Sequence, residues 1–370
     1  MKKIIFVTPQ FKNGGGNRVF VELSNSISRF GTHKLEIVYP NNSAEINHYK
    51  IEADIEIKVI GKLAANMYKK LFNCYLLFKY IINVLKSSDV TIIISDPILS
   101  VFLWTIPRKY QNNIVRFIQA DDYRIYDDLF VLKNRLFLSI FKLLTLLNYK
   151  LKLKYAFNSS FTYKKFVEVS KQRDVRKVII HPAVDKKIFN NLQREKKEID
   201  DKLSISLIAR DHPLKKLDDF LEMWSNLPDK TKSRISDVFL ISTDKLERFD
   251  LNEFTIIRPQ DDYEIANTFK KSDIFISTSL WEGFSLPPLE ALHCGMVILS
   301  SDSGGVREYA FNTFNASLFE PGNIKELKDG LIELIDNNDK REKYIENGKK
   351  TVKEFSWDKS AKELIALVQS

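Results

Sequence analysis

Apolar runs at Ile4–Thr8, Leu35–Tyr39, Ile55–Val59, Val90–Ser95, Ile114–Gln119, Tyr155–Asn158 and Val178–His181 alternate with segments whose apolar positions recur at helical spacing. The second half repeats the alternation, with runs at Ser204–Ile208, Val238–Ser242, Thr255–Ile257, Ile274–Ser277 and Val297–Ser300. Strands that alternate with helices are the mark of parallel βαβ units, and each half holds enough of them for its own open sheet. Asp185 to Lys202 is polar and charge-dense and reads as the linker between two domains. Beyond Asn323 the pattern turns helical, over Lys325–Asn337, Asp339–Phe355 and Trp357–Val368. Phe355-Ser356-Trp357-Asp358 interrupts it, and the Ser N-cap between two aromatics predicts a kink where the last helix leaves its own domain and crosses back to the first.

A chain of 370 residues is too long for one ordinary core and suits two domains of about 150–200 residues. The expected division is 1–185, 186–355 and a returning helix at 356–370. Two cysteines, Cys74 and Cys294, are too few for a disulfide framework or a thiolate metal site, so the chain reads as cytosolic. The lysines and apolar residues at the start resemble a signal peptide, but Pro9 and Gln10 end the run far short of a secretory apolar region. The apolar stretch Leu136–Tyr149 is broken by Lys142 and Asn148 and is shorter than the roughly 20 residues of a membrane span.

The net charge of +9 is unevenly divided: residues 1–185 hold 29 Lys/Arg and 15 Asp/Glu, whereas 186–370 hold 28 and 33. Six basic residues and no acid fall in 57–88, and eight with no acid in 129–167. In both, lysines are mixed with Leu, Phe, Tyr and Ile. Such segments fit helices on an anionic membrane surface, and equally core-packed helices with solvated lysine edges. Nucleic acid is disfavoured as a partner, because arginines are few there and no nucleic-acid motif accompanies them.

The most informative motif is Trp281-Glu282-Gly283-Phe284-Ser285-Leu286-Pro287-Pro288-Leu289-Glu290, in which two carboxylates flank a turn that runs into a helix. Ser285 is the expected N-cap, Pro287 and Pro288 suit a first helical turn, and Gly295 supplies the left-handed stop. Amides near Phe284, Ser285 and Leu286, with the helix dipole, suit an anion such as a diphosphate. Arg210 and Lys215 follow the strand Ser204–Ile208; two cations at a strand's carboxyl end suit the same anion, or are plain surface charges. Asp302-Ser303-Gly304-Gly305 follows the strand that begins at Val297 and is expected to line the same crevice as Glu282 to Leu286. Gly14-Gly15-Gly16 opens the first helix and reads either as a plain turn or as room for a ligand at Gly15 and Gly16.

The loop Gln119-Ala120-Asp121-Asp122-Tyr123-Arg124-Ile125-Tyr126-Asp127-Asp128 is acid-rich, and its carboxylates could bind a divalent metal, orient acceptor hydroxyls or be solvated; acceptor or sugar contact by Asp121 is the favoured reading. No Asp-x-Asp occurs, which argues against a metal-diphosphate clamp. The five histidines lack ligand spacing, and His293 reads as a packing residue.

Together these motifs resemble family 4 retaining glycosyltransferases of the GT-B fold. The resemblance runs in order through Gly14–Gly16, Gln119, Asn158-Ser159-Ser160, Pro182-Ala183-Val184-Asp185 with Phe189, Arg210 and Lys215, Glu282 to Glu290, Gly304-Gly305 and Phe355-Ser356-Trp357. It implies two Rossmann-like domains facing a central cleft. It also implies that Arg210 and Lys215 bind the donor diphosphate, helped by amides near Phe284, Ser285 and Leu286. By the same token Glu282 binds donor-sugar hydroxyls, Glu290 binds the ribose, and Gly15 and Gly16 approach the diphosphate. No cofactor or metal is implied, and no protein nucleophile.

The chain departs from the family pattern at Gln119, where a histidine is common, and at Ala183 and Lys216, where glycine is common. The implied activity is transfer of a hexose or deoxyhexose from a nucleotide sugar to a cell-surface glycan, lipid-linked, at the cytoplasmic membrane face. The alternatives are a GT-B nucleotide-sugar epimerase, or an inactive subunit that supports a partner enzyme.

Overall fold

The computed structural model describes residues 1–11, 14–44, 49–87, 89–127, 135–190 and 201–370, without the side chains of Arg135 and Phe137. Residues 191–200 of the expected linker, Asp128 of the acidic loop and His48 lie outside the described residues. The chain forms two compact units: Met1–Pro182 with Trp357–Ser370, and Ala183–Ser356.

The first unit runs β1 (Lys3–Val7), α1 (Gly15–Arg29), β2 (Lys34–Pro40), β3 (Ile55–Ile60), α2 (Met67–Val84), β4 (Val90–Ile94), α3 (Pro97–Ser100), β5 (Ile114–Ile118), α4 (Arg135–Tyr149), β6 (Lys154–Phe157), α5 (Ser160–Ser170) and β7 (Lys177–Ile179). Its seven strands pair in the order β3-β2-β1-β4-β5-β6-β7. Every pairing is parallel. The inner strands carry near-continuous Ile, Val and Phe because both faces of a parallel sheet are covered by helices. Short 3₁₀ turns at Val101–Thr105, Arg108–Asn113 and Arg124–Tyr126 fill the connections on either side of β5.

The second unit runs β8 (Leu203–Ile208), α6 (Leu217–Ser225), α7 (Asp229–Lys232), β9 (Ile235–Ile241), β10 (Thr255–Ile257), α8 (Asp262–Lys271), β11 (Ile274–Ser277), α9 (Leu286–His293), β12 (Val297–Ser301), β13 (Ala316–Phe319), α10 (Ile324–Asp336) and α11 (Asn338–Thr351). Its sheet order is β10-β9-β8-β11-β12-β13, again all parallel. The edge strand β13 carries no expectation in the sequence pattern. Its four residues lack a run of branched apolar side chains, and pairing with β12 makes it a strand.

The last helix, α12 (Trp357–Gln369), belongs to the first unit. It lies on α1 and β7 and buries Trp357, Ala361, Leu364, Leu367 and Val368. Polar contacts pin both of its ends: Ser26 Oγ donates to Asp358 (2.5 Å), Ser360 Oγ to the His181 carbonyl (2.5 Å), and Lys154 Nζ to the Val368 carbonyl (2.9 Å). Among the described residues no helix is long and apolar enough to cross a membrane.

Leu364 is fully buried in this seam. Leu364→Ala is expected to cost about 2–5 kcal/mol, as core leucine truncations do, whereas Leu364→Met stays below about 1.5 kcal/mol. Urea unfolding of the full chain measures the difference.

Candidate functional site

In the second sheet the strand order reverses between β8 and β11, because the crossovers from β8 run outward one way and those from β11 the other. At such a reversal the loops after the two strands diverge and leave a crevice at their carboxyl ends. The loop after β8 carries Arg210 and Lys215, and the loop after β11 carries Glu282. The two loops are tied together: Leu280 N–H donates to the Leu214 carbonyl (2.8 Å) and Thr278 Oγ1 to the Lys215 carbonyl (2.8 Å). Lys215 Nζ consequently reaches Glu282 Oε1 as an ion pair, both groups part-exposed.

The backbone of Glu282 is fixed by the loop after β12. Glu282 N–H donates to Ser303 O (2.8 Å) and Gly305 N–H to Glu282 O (3.0 Å), so Asp302–Gly305 joins the crevice as expected. A Cβ at Gly305 would fall on the Gly283 carbonyl and the Phe284 nitrogen, which is why glycine is needed there. Phe284 points into an aromatic cluster with Tyr309 and Phe355 (ring centroids 5.3 and 6.0 Å). Its side chain is therefore core.

Ser285 differs from the expectation. It stands at the N-cap position of α9 with φ 68°, and its side chain makes no capping bond. The cap comes from elsewhere in the fold: the buried Tyr309 hydroxyl donates to the Ser285 carbonyl and accepts from the Leu289 amide. Burial pushes the Tyr309 phenol well above its ordinary range, and the nearby Glu282 and Glu290 push it further. With prolines at the second and third helical positions, Leu286 carries the one amide N–H among the first three residues of α9. Glu290 lies one turn inside, nearly fully buried. The helix stops at Gly295 (φ 72°) in a Schellman arrangement, Gly295 N–H to Leu292 O (3.0 Å) and Met296 N–H to Ala291 O (3.1 Å).

Arg210 is not a lone cation either. Its Nε donates to Asp244 Oδ2 (2.7 Å), and the Asp211 amide donates to the same oxygen (3.1 Å). Asp244 carries no expectation in the sequence reading, and its one signal is its place just beyond the carboxyl end of β9. Lys216 has φ 52°, the left-handed region, which accounts for glycine being common there in the family the motifs resemble.

On the first unit, Gly15 and Gly16 open α1, and neither has a positive φ. A Cβ at Gly15 would meet nothing within 4 Å, and one at Gly16 only the Gln119 side chain at 3.7 Å. Packing therefore does not require these glycines. The Gly14 amide donates to the Tyr49 hydroxyl (2.7 Å), and Gln119 Nε2 donates to the Gly16 carbonyl (3.3 Å). Asp121 serves its own loop, since it is buried and its Oδ1 accepts from the Arg124 amide (3.0 Å) to cap the turn Arg124–Tyr126. Beneath it, Asp122 pairs with Arg116 in a sealed contact that the sequence does not reveal. Arg116 also donates to the carbonyls of Ile94 (3.1 Å) and Ser95 (2.5 Å).

Residues 189–351 match the family described as Glycosyl transferases group 1. An uncharacterized glycosyltransferase of Methanocaldococcus jannaschii is 31% identical over 177 residues, 45% of either chain. The chain spans less than half the length of the curated relatives matched first. Among solved structures, sucrose-phosphate synthase from Thermosynechococcus elongatus is similar with a TM-score of 0.79 at 13% identity, covering 100% of this chain and 98% of that one. HepE of Anabaena, solved with UDP and glucose, is similar with a TM-score of 0.73 at 14% identity over 100% of both chains. The fold is thus GT-B, two Rossmann-like units each built on a parallel sheet.

Two outcomes follow from this packing. Gly305→Ala forces the Gly283–Phe284 backbone away and should cost about 1–3 kcal/mol, lowering Tm by roughly 2–10 °C in calorimetry. His293 is buried on α9 and its Nε2 has no hydrogen-bond partner among the described residues; burial, with Lys186 nearby, lowers its pKa from 6.5 to about 4. As pH falls below 6.5 the unfolded chain gains a proton that the folded chain refuses until about pH 4. Stability is therefore lost across that window, by about 2 kcal/mol at pH 5. His293→Leu should flatten the slope of stability against pH between 6.5 and 4.

Proposed function

We propose that the protein is a retaining glycosyltransferase that moves a hexose or deoxyhexose from a nucleotide sugar to a lipid-linked cell-surface glycan at the cytoplasmic membrane face. The observation that carries this reading is the gathering of Arg210, Lys215, Glu282 and the start of α9 around the strand reversal of the second sheet. The match of residues 189–351 to glycosyltransferases of group 1 supports it.

In this reading the donor diphosphate lies against Arg210 and Lys215, with amides at and before Leu286 completing the anion site. Its arrival draws Lys215 from Glu282 and Arg210 from Asp244. Each cation then exchanges one anionic partner for another, so neither charge is left bare at any stage. Glu282, released from Lys215, accepts hydrogen bonds from the donor-sugar hydroxyls. Glu290 accepts from the ribose. As the bond to the anomeric carbon lengthens, negative charge grows on the departing diphosphate, and the two cations stabilise it more than they stabilise the ground state.

The incoming hydroxyl attacks from the face the diphosphate is leaving and gives its proton to a phosphate oxygen. Configuration is thereby retained without a protein nucleophile, and no residue of the site is needed in that role. On the first unit, Asp121 meets acceptor hydroxyls through the oxygen that does not cap the turn. The basic, apolar helices of that unit suit an acceptor carried on lipid.

Titration of UDP-, GDP- and dTDP-sugars should find one that binds. Lys215→Ala and Glu290→Ala should each weaken it by about 10- to 150-fold, the worth of a hydrogen bond to a charged group. Failure of every nucleotide to bind the wild type, or unchanged binding in both variants, refutes the donor-site assignment.

A further inference from the structure

Helix α2 packs on the sheet through Asn73, Leu77, Phe78 and Ile81, yet its opposite face is also apolar. Tyr68 (84% exposed), Leu71, Phe72 and Tyr75 recur at i, i+3, i+4 and i+7 and form one outward stripe. Helix α4 repeats the arrangement: Leu136 (69% exposed), Ile140, Leu143 and Leu147 stand at i, i+4, i+7 and i+11. Between the two helices lies the 3₁₀ turn Val101–Thr105, which presents Phe102 and Trp104 (52% exposed). The Phe78 ring of α2 packs tilted against Phe102 (5.0 Å between centroids), and Asn148 of α4 donates to the Ser100 carbonyl, so both helices are stitched to this turn. Three adjacent segments therefore expose aligned apolar side chains, which single scattered surface residues do not do.

Along α2 the charge has one sign. Lys69, Lys70 and Lys79 are exposed on α2, and residues 57–88 contain no acid. A cavity of about 550 Å³ opens between α2 and the turn, lined by Leu71, Cys74, Tyr75, Phe78, Ile82 and Phe102, with Lys79 also on its wall. An apolar slot of that size beside a lysine suits a hydrocarbon chain with an anionic head.

We infer that this face of the first unit docks on an anionic phospholipid bilayer. The two stripes and Trp104 sit at the boundary between headgroups and acyl chains, the lysines face phosphates, and the slot takes one acyl chain. Aligned apolar stripes with neighbouring lysines are how interfacial helices bind, and the acid-free positive charge of α2 selects an anionic surface over a second protein copy of net charge +9. The inference deepens the lipid-linked acceptor reading by naming the surface that would bring the enzyme to its acceptor. It concerns residues remote in sequence from Arg210, Lys215, Glu282 and Glu290.

The test is co-sedimentation of the full chain with phosphatidylcholine vesicles, with and without phosphatidylglycerol, at low and high salt. The protein should pellet only with phosphatidylglycerol, and high salt should release much of it. Replacing Lys69, Lys70 and Lys79 with Gln should lower the partition coefficient about a hundredfold, at about fivefold per lysine. Leu71→Ser with Leu143→Ser should lower it further, and brominated acyl chains should quench the wild type but not Trp104→Phe.

Circular dichroism and nucleotide titration of each variant separate loss of docking from loss of fold or of the donor site. A wild type that stays in the supernatant, or binding indifferent to the lysine and leucine changes, overturns the proposal. So does a dimer in light scattering that the same changes dissolve. Nucleotide binding that fails while docking stands would count against the proposed function alone.

Discussion

Everything at the candidate site depends on the handedness of parallel β-sheets. Parallel strands need long crossovers, and these are almost always right-handed, so helices on opposite faces of a sheet require the strand order to run outward from the middle in two directions. In the second unit the consequence is the divergence of the loops after β8 and β11. Side chains separated by dozens of residues, Lys215 and Glu282, come within ion-pairing reach there. The loop after β12 then closes against the backbone between them, with a glycine where no side chain fits.

The charges at this place are arranged in opposed pairs. Lys215 faces Glu282 and Arg210 faces Asp244, each at moderate exposure, so solvent screens the attraction and neither pair is locked. The Arg116–Asp122 pair of the first unit is the contrast. Both partners are almost wholly buried, and Arg116 is also held by backbone carbonyls. Burial pushes the Asp122 carboxyl up to about 7 in spite of Arg116. Removing either partner there would strand the other without solvent. Exposed pairs suit exchange, and a buried pair suits holding a loop.

Much of this was legible in the chain. Alternating apolar runs gave both sheets, since a buried parallel strand must be a nearly continuous apolar run whatever its partners. Arg210, Lys215, Glu282 and Glu290 could be singled out because residues just beyond strand ends, or at the start of a helix, face whatever crevice forms. What stayed hidden depended on distant partners. Ser285 has the chemistry of a cap, but a left-handed backbone turns its side chain away from the helix amides, and Tyr309 caps the helix from 24 residues away. Asp121 reads as a free carboxylate until the turn it caps is seen. β13, Ala-Ser-Leu-Phe, lacks the branched apolar run that announces a strand, and only pairing with β12 makes it one. The doubly apolar character of α2 was visible as composition, while its division into a buried and an outward stripe needed the packing.

The seam between α12, α1 and β7 also has a meaning in time. About 175 residues separate Pro182, where the first unit pauses, from Trp357, where it resumes. At roughly 5–20 residues per second, a ribosome takes about 9–35 s to cross that distance. Throughout that interval the groove awaiting Leu364 and Val368 stands uncovered, and the second unit, continuous in sequence, is free to finish first. The order in which the two units mature is thus set by where one helix is encoded, and the unit synthesised first is the one completed last.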